Sequence, residues 1–338
     1  MSKRFNNTGM LMKFILRRDR IRLVVWILAI SLFTISIAAL IPELYVGEAE
    51  KAIVAETMKN PAVTFMLGPS AGLDNYTDGA MMGHFMLVFT AMFAAIMSIL
   101  LVTRYTREDE EEGRTEMINS LPVGSLANLT AAFFILSIAN VIIFLIVGLG
   151  LYSLGIESMG FEGSILFAAC MAVGGIFYAA LTGLFAQVAS NVRATLGLSF
   201  GFLIVEYILR GVGDIGNGVL SHFSPLGLIT RSEVYVNNYW WPVFVLLVVS
   251  GLVFALSLYL NSIRDLGSGF ISTKPGKIYA SRYLSSPLGL ALRLERTPII
   301  AWTIGMLVLG VAYGSLLGEL EGFLVTSDLV QQMIPTVE

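Results

Sequence analysis

Seven stretches of this chain are apolar for about the length that crosses a lipid bilayer, and this decides the fold class before any other residue is considered. They fall at about residues 23–44, 80–103, 126–154, 164–187, 195–210, 240–263 and 299–318, near the ~20 residues that a helix needs to span ~30 Å of hydrocarbon. That layer offers backbone amides no water, so each stretch is expected to be an α-helix with its hydrogen bonds closed internally. With 56% hydrophobic and 13% charged residues and a mean hydropathy of +0.78, the chain has too few polar side chains to cover a soluble fold. The predicted class is an all-α polytopic membrane protein. The first stretch does not read as a cleavable signal: it follows seven Lys/Arg residues, is too long, and ends in Ile41-Pro42-Glu43 rather than in small residues. Cys170, the only cysteine, sits in an apolar stretch and is expected to pack rather than to form a disulfide.

Charge sorts the connections into two sides. Seven Lys/Arg precede the first helix, three lie in 104–125, one in 188–194 and six in 264–298; the alternate connections hold only Lys51, Lys59, Arg231 and the helix-end Arg210. By the positive-inside rule the N-terminus is cytoplasmic and the last twenty residues lie outside. Tyr239, Trp240 and Trp241 mark the outer interface of the sixth helix.

The collar before the first helix recurs. Leu16-Arg17-Arg18-Asp19-Arg20 running to Trp26 returns as Leu292-Arg293-Leu294-Glu295-Arg296 running to Trp302, and Glu43 returns as Glu319, every position shifted by 276. A period this long belongs to a duplicated membrane domain rather than to a solenoid. The expected layout is an interfacial segment (1–22), a six-helix domain (23–263), a cytoplasmic linker (264–298), and the first helix and partial outer loop of a second repeat (299–338).

Among the outer loops, 45–79 predicts a short surface helix over 48–60, ending before Pro61, and then a turn at Gly68-Pro69-Ser70-Ala71-Gly72. The next is about nine residues, which makes helices three and four an antiparallel hairpin. The third holds Gly211, Gly213, Gly216, Gly218, Val219-Leu220 and Ser224-Pro225-Leu226-Gly227. It is too apolar for a free loop and too broken for a span, so 211–232 reads either as a re-entrant segment or as an outer loop with interfacial aromatics. Ser224, Pro225, Leu226 and Gly227 are candidates for an outer gate.

The cytoplasmic run Arg104–Val123 is the most polar in the chain. Helical spacing pairs Arg107 with Glu111 and Glu110 with Arg114 at i,i+4, and Pro122 ends the run. Met117, Ile118 and Leu121 form a small apolar face. A charged amphipathic segment between two membrane helices has the shape of a lever for a cytoplasmic partner, although a solvated connection would read the same way.

The segment from Arg104 to Gly124, with Arg107, Glu108, Glu110, Glu111, Gly113, Arg114, Glu116, Ser120 and Pro122-Val123-Gly124, resembles the ATPase-coupling segment of ABC-2 type exporter permeases of the polyketide-antibiotic and tetronasin type. Ser224-Pro225-Leu226-Gly227 before Trp240-Trp241-Pro242 agrees, as do Arg264-Asp265-Leu266-Gly267-Ser268-Gly269, Pro275-Gly276 and Ser286-Pro287-Leu288-Gly289. The resemblance implies an interfacial helix over 4–22, six spans per half, a coupling helix over 104–122 and a re-entrant element near 211–232. It further implies a bacterial plasma membrane protein whose partners are a nucleotide-binding ATPase subunit, a second permease half on a separate chain or in a homodimer, and the bilayer, with no nucleic acid. The chain has no Gly-x-x-x-x-Gly-Lys-Ser/Thr, since Pro275-Gly276-Lys277 runs on to Ile278. ATP and Mg are therefore expected on the partner, with no catalytic residue, cofactor or metal here.

Inside the membrane, Glu206 is a carboxylate whose isolated burial would cost roughly 2.5–3.5 kcal/mol, and Arg210 four residues on is its expected partner. Asn140, His84 and Gln187 are candidate interhelical hydrogen-bonders. The Phe and Met residues of helix two, Phe85, Met86, Phe89, Met92, Phe93 and Met97, read as packing or lipid-facing, with a drug pocket as the sharper use. The expected function is export of an amphipathic or hydrophobic compound. An ion-coupled secondary transporter needs more buried carboxylates, and a non-transporting assembly or sensor protein would show no ATP dependence.

Overall fold

A computed structural model describes residues 3–310 apart from 46, 217, 266, 272–278, 280–283, 285, 301, 304 and 308–309. The chain divides into two units, 1–273 and 274–338. Among the described residues six helices are long and apolar enough to span a membrane, all in the first unit. Most of the seventh stretch, 299–318, and the C-terminus expected outside lie beyond the described residues.

The first span opens α1 (Thr8–Leu44), which leaves helical geometry at one residue, Asp19 (φ −113°, ψ 20°). The bend falls within the expected interfacial segment 1–22. The outer loop carries two helices where one was expected, α2 (Glu48–Thr57) and α3 (Pro61–Leu67). Pro61 starts the second, because its missing N–H costs nothing at a first helical position, and the Asn60 side chain accepts the Ala62 N–H at 2.7 Å. The second span is α4 (Asp78–Thr103), which runs on through a π-type turn at Arg104–Glu108 into the single turn α5 (Asp109–Glu111). Gly113, at φ 72°, reverses the chain into α6 (Arg114–Asn119).

The remaining spans are α7 (Ala127–Ser153), α8 (Phe161–Val188), α9 (Val192–Ile215) and α11 (Trp241–Ile263). Between the last two, α10 (Pro225–Thr230) follows a 3₁₀ turn at Leu220–Phe223. Helices α7 and α8 pack on each other as the short loop required, and α4 and α11 also pack on α8. The middle of α8 is 83% buried, against 22% for α9 and α11. Its Ala168, Ala172, Gly174, Gly175, Ala179, Ala180 and Gly183 let neighbouring backbones come close, which is how helices associate where lipid supplies no hydrophobic drive.

Helix α9 is longer than its predicted 195–210, so the first five residues of 211–232 are helical. The rest folds back on the bundle. Ser221, Ser224, Pro225, Leu226, Gly227 and Ile229 are buried, and a Cβ on Gly227 would overlap the Ser221 carbonyl. In the second unit α12 (Pro287–Leu294) is capped by Ser286, whose hydroxyl accepts the Gly289 N–H at 3.0 Å.

Candidate functional site

Two buried polar networks stand at opposite ends of the bundle. The first is at the basic end, where the run after α4 meets three other parts of the chain. Asp109, 2% exposed, takes both carboxylate oxygens to Arg18 at 3.0 Å and accepts Arg114 at 2.7 Å. Asp19, also buried, receives Arg18 at 3.0 Å, Arg22 at 2.9 Å and Arg104 at 3.4 Å. Arg104 further pairs with Glu108 at 2.9 Å. The bend in α1 is thus held by arginines from its own helix and from the end of α4. The Arg18 guanidinium lies over the Tyr105 ring.

The neighbouring residue faces the other way. Glu110 accepts Arg264 at 3.1 Å and the Gly267 N–H at 2.6 Å, so it holds the chain leaving α11. Arg107, 1% exposed, pairs with Glu110 at 3.2 Å and donates to the carbonyls of Ala186 and of Ser268, the latter at 2.8 Å. Glu111 accepts the Val192 N–H at 2.7 Å, at the positive N-terminal end of α9. The predicted pairs Arg107–Glu111 and Glu110–Arg114 are therefore replaced: Arg107 turns to Glu110, and Arg114 to Asp109 and Glu112. The π-type turn shifts the register, so the arginines take other nearby acids, while Glu110 and Glu111 are held by Arg264 and the Val192 N–H from distant parts of the chain.

Among the described side chains of the predicted lever, exposure is confined to Glu111 and Glu112 and to the tip beyond them. Glu116, Met117 (69% exposed), Ser120, Leu121 (56%) and Pro122 are exposed, while Tyr105, Thr106, Arg107, Asp109 and Thr115 are buried. The Pro122 carbonyl accepts the side-chain amides of Asn6 and Asn7 at 3.2 and 2.7 Å, and Gly124 N–H donates to Asn6 O at 3.0 Å. The segment before α1 thus lies on the base of the tip, and a Cβ on Gly124 would collide with the Arg4 carbonyl.

The second network sits at the opposite end. Glu206 and Arg210 are both buried, but they are not an ion pair. Glu206 accepts the Tyr178 hydroxyl through one carboxylate oxygen, while the other is buried without a hydrogen-bond partner. Arg210 pairs with Asp214 at 3.3 Å, donates to Phe65 O at 2.7 Å and Met66 O at 3.0 Å, and stacks on Tyr207. Those carbonyls end α3, where a helix dipole favours a cation. Asp214 also accepts Ser221 at 2.6 Å. Sequence spacing suggested neither Tyr178 nor Asp214, although Asp214 stands at i+4 from Arg210, the position an extended α9 would have exposed.

Of the predicted hydrogen-bonders, Asn140 reaches across to Ser98 at 3.2 Å, but the Gln187 side-chain amide returns to Gly183 O in its own helix at 3.0 Å. His84 is held by the outer loop: Tyr76 O–H to Nδ1 at 2.9 Å, and Nε2 to Gly68 O and Ser70 Oγ, both at 3.1 Å. Because the Gly68 carbonyl can only accept, the ring proton sits on Nε2 and Nδ1 accepts the Tyr76 hydroxyl. Cavities of about 40 Å³ beside Gln187, Glu110 and Arg264, and of about 30 Å³ beside His84 and Thr230, have room for one or two waters.

The described residues thus form a multi-pass helical bundle whose spans are cross-tied at one end by a charged segment. A family model described as "Multidrug efflux system permease Rv1217c, C-terminal domain" matches residues 11–260 and 284–338. The multidrug efflux system permease protein Rv1217c of Mycobacterium tuberculosis (strain ATCC 25618 / H37Rv) is 34% identical over 316 residues, which cover 92% of this chain and 56% of that protein. The chain belongs to this family of efflux permeases, and it spans about half the length of the relative it matches.

Proposed function

We propose that this chain forms one half, and the opening of the next, of the permease of an ATP-driven ABC-2 exporter that moves amphipathic or hydrophobic, drug-like compounds outward. Its main support is the hub at the basic end. A push on the 116–122 tip reaches α1 through Asp109–Arg18, α9 through Glu111 and the end of α11 through Glu110–Arg264. A partner ATPase holding ATP and Mg would dock on the tip, from the cytoplasm by the Lys/Arg bias. The two cavities described are far below the ~300–1,000 Å³ of a drug site, which favours a transport path lined jointly by this bundle and the second half. Ion-coupled transport is disfavoured because Glu206 and Asp214 are each engaged by internal partners.

Because Glu110 and Glu111 are tied internally, reversing their charge would damage the bundle as well as any docking. The cleaner test is Met117→Asp with Leu121→Asp, at two exposed tip residues. Membrane insertion and melting temperature should stay unchanged, while ATPase co-purification and drug-stimulated hydrolysis fall at least tenfold, the equivalent of about 1.4 kcal/mol. Full complex formation and export by the double variant would rule out the tip as the docking surface.

A further inference from the structure

The 276-residue offset places Glu295 on Asp19, Arg296 on Arg20 and Trp302 on Trp26. Backbone geometry follows the same offset. Helix α1 is broken at Asp19 (φ −113°, ψ 20°), and α12 stops at Glu295 (φ −93°, ψ 7°) before helical residues resume at 296. Both breaks fall on an acid in the sparsely populated bridge region. They arise by different means. The first has no proline and is held by Arg18, Arg22 and Arg104 around Asp19. In the second, Leu294 stands where Arg18 does and Pro298 where Arg22 does. Pro298 cannot donate to the carbonyl of residue 294, so the covalent chain imposes the bend that ion pairs impose at Asp19. Two causes for one bend at one acid indicate that the bend and the acid both have a use.

That use is visible in the first copy, where Asp19 takes Arg104 from the basic end of α4 and so joins the first two spans. The second elbow has lost both arginines supplied by its own helix but keeps the acid, exposed. Leu288, Leu294 and Trp302 beside it are each about 70% exposed or more. We propose that Glu295 is a docking acid that receives an arginine from the basic end of helix two of a second six-helix half, as Asp19 receives Arg104.

This rests on the two-half permease proposed above, and the test separates the two. A photo-cross-linking amino acid is placed at 296 and, as a control, at the equivalent exposed position 20, in the transporter purified with its second half; cross-linked peptides are identified by mass spectrometry. Position 20 should capture 104–108, and position 296 the corresponding arginine-bearing peptide of the second half. Glu295→Arg should lower the yield of two-half complex about fivefold, and reversing the captured arginine should restore it. Capture of 104–108 by both positions, or of lipid alone from 296 while the control succeeds, overturns the assignment of Glu295 but leaves two halves standing. If the purified transporter contains no second half, whether continuous with this chain or on a separate one, the permease architecture itself fails and Glu295 with it.

Discussion

Arg210 shows how a buried cation is tolerated in a span. Its guanidinium faces Asp214, two carbonyls at the end of α3 and the Tyr207 ring, so most of its hydrogen-bonding directions are answered. Removing it strands a buried carboxylate and the end of a helix, and breaking a buried pair from one side costs about 3–5 kcal/mol. Glu206→Gln is gentler, because the amide keeps an oxygen to accept the Tyr178 hydroxyl. Arg210→Ala should therefore lower the detergent melting temperature far more than Glu206→Gln. Arg210→Gln should be partly rescued by Asp214→Asn and not by Glu206→Gln. Rescue by Glu206→Gln instead would restore the i,i+4 pair that spacing alone suggests. That pair misled because an α-helix offers Arg210 two acids, at i−4 and i+4, and only tertiary structure decides between them. A third partner set, the carbonyls of Phe65 and Met66, lies some 145 residues away and leaves no local trace in the sequence.

At the scale of elements, hydropathy located all six long helices of the first unit, five of them to within about five residues at each end, while α1 begins at Thr8, well before the predicted 23. It missed what polar chemistry controls: the bend at Asp19, the split of the first outer loop into α2 and α3, and the inward turn of the segment after α4. Local i,i+4 rules made 107–114 a self-paired solvent helix, whereas Arg18 and Arg264 recruit its acids from 91 and 154 residues away. Gly124 was legible only as part of a motif, and its physical reason is the backbone of Arg4 and Asn6 lying against it. If the segment is a transmission element, its ties must couple energetically. A double-mutant cycle of Arg18→Gln and Asp109→Asn should give a coupling energy of about 1–3 kcal/mol in thermal unfolding, and each single variant should retain ATPase binding while losing drug-stimulated turnover. Additive effects on stability would mean that the pair carries no load between α1 and the lever.

At the scale of the whole molecule, the arrangement in the bilayer ties the remaining expectations together. The orientation we propose from the Lys/Arg bias puts the 116–122 tip on the cytoplasmic side, and the alternation of spans then puts the loop between α7 and α8 outside. Glu157 is exposed in that loop, Met117 is exposed at the tip, and Cys170 is buried with its thiol 3.2 Å from Ser232. Replacing Cys170 by Ser retains a hydrogen-bonding group of similar size and gives a background free of cysteine. Glu157→Cys should then react with an impermeant maleimide on intact cells, and Met117→Cys only after the membrane is breached. The inverse pattern would invert the protein and remove the tip from reach of any cytoplasmic ATPase, however well the hub is built. Labelling of both sites in intact cells would mean that 104–122 crosses the bilayer or that the bundle is not sealed. Either result is incompatible with Asp109 and Glu110 serving as the joint between an engine on one face and six spans that open to the other.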